Sequence, residues 1–158
     1  MISNLTFRLA MESDLPEIMR LIKSDLLTRE SERSMDPMPD CYLQAFRAID
    51  ASPDNELIVA CLEDAVVGCL QITYIPYLAN YGRLRATIEA VRVDSRLRSR
   101  GIGSEMMRWA IERAHSRKCI IVQLTSDKRR EDAHRFYRRL GFSQSHEGFK
   151  IRFPEFEE

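Results

Sequence analysis

The hydrophobic positions of this chain follow two different periods, and their alternation predicts strands and helices in turn. Residues 5–9 alternate apolar and polar side chains, as a half-buried strand does. Apolar residues then recur at helical spacing after Asp14, and Asp14 and Glu17 have the spacing of a capping box. The N-terminal part therefore predicts a strand, a helix, a charged connection over residues 29–40 and a second short helix over residues 42–48.

The middle of the chain has the β-rich pattern of a sheet. Residues 57–62 and 66–73 flank Glu63 and Asp64, which is the arrangement of a hairpin. Residues 86–93 add a longer run rich in β-branched side chains. We expect these three segments to form the central antiparallel strands.

The pattern after residue 100 alternates between helix and strand. Residues 104–116 carry apolar side chains at helical intervals, which predicts a helix packed on the sheet. Residues 120–125 form a compact apolar run that predicts a strand. A further helix, from about residue 131 to 140, precedes Gly141, and glycine is favoured directly after a helix end.

The C-terminal segment predicts a closing hairpin, with strands at residues 142–146 and 149–153. Strands and helices that alternate in this way predict a mixed α/β fold, in which helices cover one sheet. The chain has 158 residues, of which 44% are hydrophobic, and this size suits a single domain over residues 1–158 with a substantial core.

Composition excludes several classes of protein. The formal charge is zero, from 24 basic and 24 acidic residues, so no overall field attracts nucleic acid. No apolar run approaches the roughly 18 residues of a membrane span, and no secretory signal pattern precedes the first helix. The four cysteines and three histidines lack metal-ligand spacing. We expect a cytoplasmic protein without a metal, a nucleic-acid partner or a membrane partner.

The most informative motif is a six-residue loop between a predicted strand and a predicted helix. It reads Arg-Ser-Arg-Gly-Ile-Gly and runs from Arg98 to Gly103. Glycines let backbone N–H groups approach an oxyanion, a helix start adds partial positive charge, and Arg98 and Arg100 supply full charges. The dinucleotide fingerprint would need a third glycine where Met106 stands, and no Gly-Lys-Ser/Thr of a P-loop is present. The loop predicts an anion cradle of another kind.

Two motifs resemble those of GNAT-type N-acetyltransferases. The pattern Arg-x-x-Gly-x-Gly, at Arg98, Gly101 and Gly103, resembles the coenzyme A pyrophosphate loop of that family. The pattern Ala-x-x-Phe-Tyr-x-x-x-Gly-Phe, from Ala133 to Phe142, is similar to the second GNAT signature. The resemblance implies a mixed, mostly antiparallel sheet of about six to seven strands, about four flanking helices, and acetyl-CoA as co-substrate.

The resemblance also implies two catalytic residues. Glu89 lies in the strand where many GNAT enzymes place a base that acts through water, and an amine must lose a proton before it attacks a thioester. The alternative is a strand carboxylate paired with Arg85 or Arg92. Tyr137 is the tyrosine of the second signature and would help the coenzyme thiolate to leave. Its alternative role is packing on the apolar face of its helix.

Coenzyme binding in the family uses the backbone of the splayed fourth strand, which holds the pantetheine arm as a substitute strand. The residues expected to bind the coenzyme here, through the strand, the pyrophosphate loop and the segment after the fifth strand, are Val91, Arg92, Val93, Arg98, Ser99, Arg100, Gly101, Ile102, Gly103, Ser104, Ser126 and Arg130. Arg130 departs from the family pattern, because many members have asparagine at this position. Its role stays open between a phosphate contact and an exposed helix start.

Candidate acceptor residues come from the early helices and from the connection over residues 76–82. They are Asp25, Arg29, Tyr42, Tyr77 and Tyr81. An acidic side chain would suit a polyamine or an aminoglycoside, whereas an arginine would suit a carboxylate or a phosphonate. The sequence around His134 and His146 resembles aminoalkylphosphonate acetyltransferases and related small-amine enzymes.

The expected function is acetyl-CoA-dependent N-acetylation of a primary amine of a small molecule, by direct transfer in a ternary complex. Two alternatives stay open. One is a protein N-acetyltransferase, and the other is an acyl-CoA sensor or scaffold without turnover. A homodimer is a further expectation, because members of the family often dimerise.

Overall fold

Five strands form one sheet, in the order in which they follow along the chain. The structure is a computed structural model that describes residues 2–24, 37–151 and 153. The strands are β1 (Leu5–Leu9), β2 (Asn55–Leu62), β3 (Ala65–Pro76), β4 (Leu84–Val93) and β5 (Cys119–Leu124). The first four pair antiparallel with their neighbours, and β4 pairs with β5 in parallel. The sheet belongs to the first of two compact units, Met1–Leu124 and Thr125–Glu158.

Five helices accompany the sheet in the described part of the chain. They are α1 (Leu15–Lys23), α2 (Asp40–Asp50), α3 (Ala79–Gly82), α4 (Ile102–Ser116) and α5 (Glu131–Arg139). The four longer helices agree with the predicted number of about four flanking helices. The segment α3 is a single turn, predicted only as a connection, and Asn80 and Tyr81 have left-handed backbone angles within it.

Each face of the sheet is covered by different helices. On one face, α1 and α2 pack against alternate residues of β2, among them Val59 and Cys61. On the other face, a Cβ atom on Gly68 would meet the Met106 sulfur of α4 and the side chain of Ala60. This face buries the intervening residues, which are Ile58, Ala60, Leu70, Ile72, Ala86 and Ile88. Strand periodicity thus places the odd-numbered side chains of β4, up to Glu89, on the face away from α4.

A β-bulge bends β4 in its second half. Gln71 of β3 pairs with Glu89, but Cys69 pairs with Arg92, so two residues of β4 oppose one residue of β3. The extra residue is accommodated by Ala90, which has a φ of 51°. Gly68 lies opposite this distorted segment, and a Cβ atom there would be 2.9 Å from the Arg92 carbonyl oxygen. Glycine is therefore required for the close approach of the two strands.

A buried carboxylate joins the start of β2 to the C-terminal half of α4. Glu56 is 8% exposed and accepts hydrogen bonds from Tyr74 Oη at 3.0 Å, Arg113 Nη2 at 2.8 Å and Arg117 Nη1 at 3.2 Å. Burial alone would raise the pKa of Glu56, but Arg113, Tyr74 and Arg117 outweigh it and hold that pKa below its ordinary value. Burial and the carboxylate raise the pKa of Tyr74 to about 12.

The capping box predicted at Asp14 is wrong in its geometry. The Asp14 carboxylate makes no cap hydrogen bond to the start of α1. It accepts instead from Arg8 Nη1 at 2.6 Å, from Arg8 Nη2 at 2.9 Å and from the Met11 N–H at 2.7 Å. A bidentate arginine is the stronger partner, and it directs the carboxylate toward β1.

The second unit contains α5 and the segment that follows it. The helix ends in a Schellman motif, in which Gly141 has a φ of 93° and the Phe142 N–H donates to the Tyr137 carbonyl at 3.1 Å. The predicted role of Gly141 is confirmed. The predicted closing hairpin is wrong, because residues 142–151 and 153 contain no strand. The sheet of the described residues has five strands instead of six to seven, and Phe149 is 95% exposed.

Candidate active site

One edge of β4 loses its strand partner halfway along. The parallel pairing with β5 covers Leu84 to Ile88, whereas the pairing with β3 continues to Val93. On the β5 side, the backbone of residues 89–93 thus has no strand partner within the described chain. Such an edge presents N–H and C=O groups to any extended chain that carries amides. Val91, Arg92 and Val93 lie in this segment, as the sequence predicts.

The loop after β4 turns directly into the start of α4. Ser99 and Gly101 have φ angles of 62° and 85°, and the helix begins at Ile102, earlier than the predicted start at residue 104. The first N–H groups of a helix have no acceptor within it. The N–H groups of Ile102, Gly103 and Ser104 are of this kind, and the helix dipole adds partial positive charge there.

The two arginines of the loop keep their charge uncompensated. Arg98 and Arg100 are exposed, and neither forms an ion pair with a described carboxylate. Arg96, by contrast, binds Asp94 through Nη2 at 2.7 Å. Two free guanidinium groups beside a helix start suit a doubly charged pyrophosphate, so the residues present fit coenzyme A.

Asp94 is a residue that the sequence analysis missed. It is 2% exposed and follows β4 directly. Its carboxylate accepts from the Arg96 N–H at 3.0 Å, from the Arg96 side chain and from Arg20 Nη2 at 3.0 Å. Arg96 first, and then Arg20, hold the pKa of Asp94 far below its usual range. The carboxylate thereby ties the start of the loop to α1. An aspartate two residues before an arginine at a strand end was the available signal.

Glu89 lies on a polar part of the sheet. We define the polar sheet face as the side chains of Asn55, Gln71, Thr73, Arg85, Thr87, Glu89 and Gln123. Asn55 accepts from Thr73 Oγ1 at 2.8 Å, and Gln123 donates to Thr87 Oγ1 at 3.1 Å. Glu89 is exposed and forms no ion pair with a described residue, so its suggested pairing with Arg85 or Arg92 is absent.

Tyr137, Ser126 and Arg130 lie in the second unit. The ring of Tyr137 packs against Phe136 and Phe142, with centroid distances of 5.2 and 5.9 Å. Ser126 has a buried Oγ atom that makes no hydrogen bond to any described residue. Arg130 forms the start of α5, and its N–H donates to the Asp127 carbonyl at 3.0 Å. Glu89 and the cradle lie in the first unit.

The predicted acceptor residues fall in different environments. Asp25 and Arg29 lie outside the described residues. Tyr42 of α2 is half-buried against the core beneath α1 and α2. Tyr77 lies beneath the Arg85 guanidinium, 4.6 Å from it, whereas Tyr81 is 96% exposed.

Three buried cysteines of the first unit are unsuited to nucleophilic catalysis. They are Cys61, Cys69 and Cys119. Burial raises the pKa of each of them, and that of Cys69 to about 12. A thiol with a raised pKa carries little of the reactive thiolate.

Neither a metal site nor a membrane helix is found within the parts of the chain that the structure describes. Residues 2–24, 37–151 and 153 contain no group of three or more potential metal ligands. Over the same ranges, no helix is long and apolar enough to cross a membrane.

Comparison with known proteins identifies the class of this fold and site. The sequence model of the acetyltransferase (GNAT) family matches residues 15–142, which extend over both units. The chain therefore belongs to the GNAT acetyltransferase family, whose members use acetyl-CoA as co-substrate. The predicted enzyme class and the predicted mixed α/β fold class are confirmed.

One characterised relative and two solved structures are similar to this chain over most of its length. An aminoalkylphosphonate N-acetyltransferase from Salmonella typhimurium is 29% identical over 105 residues, which cover 66% of this chain and 68% of that protein. A transcriptional regulator from Bacillus halodurans C-125 has 50% identity and a TM-score of 0.91, over 94% of this chain and 99% of that one. An acetyltransferase described for Agrobacterium tumefaciens has 29% identity and a TM-score of 0.82, with the same coverage.

Proposed function

We propose that this protein transfers the acetyl group of acetyl-CoA to the primary amine of a small molecule, directly and in a ternary complex. The observation that carries the proposal is the end of the β4–β5 pairing at Ile88, after which β4 continues to Val93 and leads into the loop with Arg98 and Arg100. An amide edge followed by an anion cradle matches the order of chemical groups in the coenzyme. Both units together would form the single domain predicted over residues 1–158.

The coenzyme would be held by three parts of the chain. Val91, Arg92 and Val93 offer backbone groups to the pantetheine arm, and the loop from Arg98 to Ser104 offers N–H groups and charge to the pyrophosphate. Ser126 and Arg130 would add contacts from the second unit. The buried Oγ of Ser126 supports this role, because buried hydroxyls normally have a partner.

The reaction requires one bond to form as another breaks. The amine nitrogen attacks the acetyl carbon, the carbon–sulfur bond breaks, and the coenzyme leaves as a thiol after it gains a proton. Glu89 accepts the proton that the amine loses, directly or through water, and Tyr137 donates the proton to the sulfur. The exposed and unpaired state of Glu89 supports its assignment. The raised pKa values of the buried cysteines support direct transfer without an acetylated cysteine.

A second candidate function is the binding of an acyl-CoA as a sensor without turnover. The relative from Bacillus halodurans that is described as a transcriptional regulator favours it. The present chain keeps both Glu89 and Tyr137, which a sensor has no need to keep, and this supports an enzyme. A protein amine as acceptor, a homodimer and a cytoplasmic location stay predictions.

The experiment that tests the proposal is the release of coenzyme A thiol from acetyl-CoA in the presence of a panel of amines. The panel includes polyamines, amino acids, aminoalkylphosphonates, aminoglycosides and N-terminal peptides. We expect release that depends on a small amine. Stabilisation by acetyl-CoA without any release would favour the sensor instead. Absence of both release and stabilisation would contradict the proposed function.

We expect Arg98→Ala to weaken acetyl-CoA binding about tenfold, because a charge-assisted hydrogen bond contributes about 1.5 kcal/mol or more. Isothermal titration calorimetry measures the change. Arg108→Ala is the matched control, since Arg108 is an exposed arginine of α4 that pairs with Glu105 at 3.1 Å. Unchanged affinity in folded Arg98→Ala would remove the loop from the coenzyme site.

A further inference from the structure

The polar sheet face presents charged groups of both signs in a row along β4. Arg85, Thr87 and Glu89 alternate with the buried residues Ala86 and Ile88, so their side chains emerge on one face. Thr73 and Gln71 of β3 pair with Thr87 and Glu89 and place two more polar side chains on that face. The surface between Arg85 and Glu89 therefore consists of side chains that can donate or accept hydrogen bonds.

Arg85 is a cation that lacks an anionic partner in the described chain. Its side chain is half-buried, its guanidinium carbon lies 4.6 Å from the centroid of the Tyr77 ring, and its buried Nε makes no hydrogen bond to a described residue. Stacking on a ring fixes the guanidinium plane and leaves its donor edges open. A partly desolvated cation in this state gains strongly from an anion.

Three other half-buried arginines of the first unit differ from Arg85 in this respect. Each binds a buried carboxylate: Arg8 binds Asp14, Arg20 binds Asp94, and Arg113 binds Glu56. Those three have structural partners within the chain. Arg85 forms no such ion pair with a described carboxylate, so its donor groups are open to an anion from outside the chain.

We propose that Arg85, supported by Tyr77, binds an anionic group of the acceptor, and that the acceptor is a primary amine that also carries a carboxylate, a phosphonate or a phosphate. The inference rests on the proposed function, because Glu89 marks the end of the polar sheet face where the amine reacts. Arg85 and Glu89 are four residues apart on one strand, which separates their Cα atoms by about 13 Å. Opposite charges at the two ends complement an amine and an anion of one flexible molecule.

The test compares amines of equal chain length with and without the anion. The anionic probes are ω-amino carboxylates and aminoalkylphosphonates of increasing length, and the neutral probes are the corresponding 1-aminoalkanes. For the wild-type protein we expect kcat/KM to be at least about tenfold higher with an anionic amine of suitable length. The carboxylate and phosphonate arms distinguish the two sources of charge.

Variants then assign the preference to Arg85. Arg85→Ala should raise KM for the anionic amine about tenfold, with the rates on neutral amines and the KM for acetyl-CoA unchanged. Arg85→Lys should restore part of the preference, because it keeps the charge but loses the planar fork. Arg83→Ala is the matched control, since Arg83 is exposed and lies at 5.9 Å from the Tyr81 ring.

The outcomes separate the two proposals. Equal use of anionic and neutral amines by the wild type, or an unchanged preference in Arg85→Ala, would overturn the inference and leave the proposed function intact. Calorimetry of the same amines with coenzyme A bound gives an answer that does not depend on turnover. Tighter binding of the anionic amine to the wild type than to Arg85→Ala would support the inference even if no thiol were released.

Discussion

Tyr137→Phe is expected to lower kcat for acetyl transfer about a hundredfold and to leave acetyl-CoA affinity unchanged. The proton that neutralises the leaving thiolate is needed only as the carbon–sulfur bond breaks. Loss of the hydroxyl therefore raises the free energy of the transition state without weakening the binding of acetyl-CoA in the ground state. Phenylalanine keeps the ring that packs against Phe136 and Phe142, so the local structure of the second unit is preserved.

The measurement is kcat from thiol release, together with acetyl-CoA affinity from calorimetry. Tyr74→Phe is the matched control, because it removes another tyrosine hydroxyl, one that donates to Glu56 at 3.0 Å. The control should lose stability but keep kcat. A Tyr137→Phe protein as fast as the wild type would return Tyr137 to its alternative role, the packing of aromatic rings.

The elements with strong local periodicity were predictable from the sequence. The strand at Leu5–Leu9, the hairpin around Glu63 and Asp64, and the glycine after α5 each depend on residues within a few positions of one another. The anion loop belongs to the same group, because Gly101 needs its positive φ for a purely local turn. The roles of Glu89 and Tyr137 came from family resemblance and stay predictions.

The features that the sequence did not predict depend on partners distant along the chain. Asp14 accepts hydrogen bonds from Arg8 instead of capping the helix start. Asp94 accepts one from Arg20 of α1, which precedes it by more than seventy positions. The distinctive feature of Arg85 is that it stacks on Tyr77 and forms no ion pair with a described carboxylate. The closing hairpin was predicted from local alternation around Phe149 alone. A strand also requires a neighbouring strand to pair with, and Phe149 is exposed instead.

The buried network of Glu56 gives the largest expected effect on stability. We expect Glu56→Gln to lower the free energy of unfolding by about 2 kcal/mol at neutral pH. Removal of one member of a fully buried ion pair costs about 3 to 5 kcal/mol. The smaller value applies because the side chains of Arg113 and Arg117 are 36% and 34% exposed and keep some of their hydration.

The dependence of this effect on pH follows from the lowered pKa of Glu56 in the folded protein. Its stabilising contribution is fully present above the pKa of the unfolded chain, about 4.3, and is lost as pH falls through the folded-state pKa. In acid, protonated Glu56 resembles glutamine. The difference between the wild type and Glu56→Gln should therefore shrink as the pH falls below about 4.

Urea denaturation of both proteins over a range of pH measures this difference. Glu12→Gln is the control, because Glu12 forms an ion pair with Arg47 at 3.1 Å in which both side chains are more than half exposed. The control should change stability by no more than about 0.5 kcal/mol. If Glu56→Gln lowered the free energy of unfolding no more than the control does, the charge of Glu56 would contribute nothing to stability. Neutral hydrogen bonds would then suffice to hold α4 against β2. A difference that persisted undiminished in acid would assign the effect to the geometry of the amide instead of the lost charge.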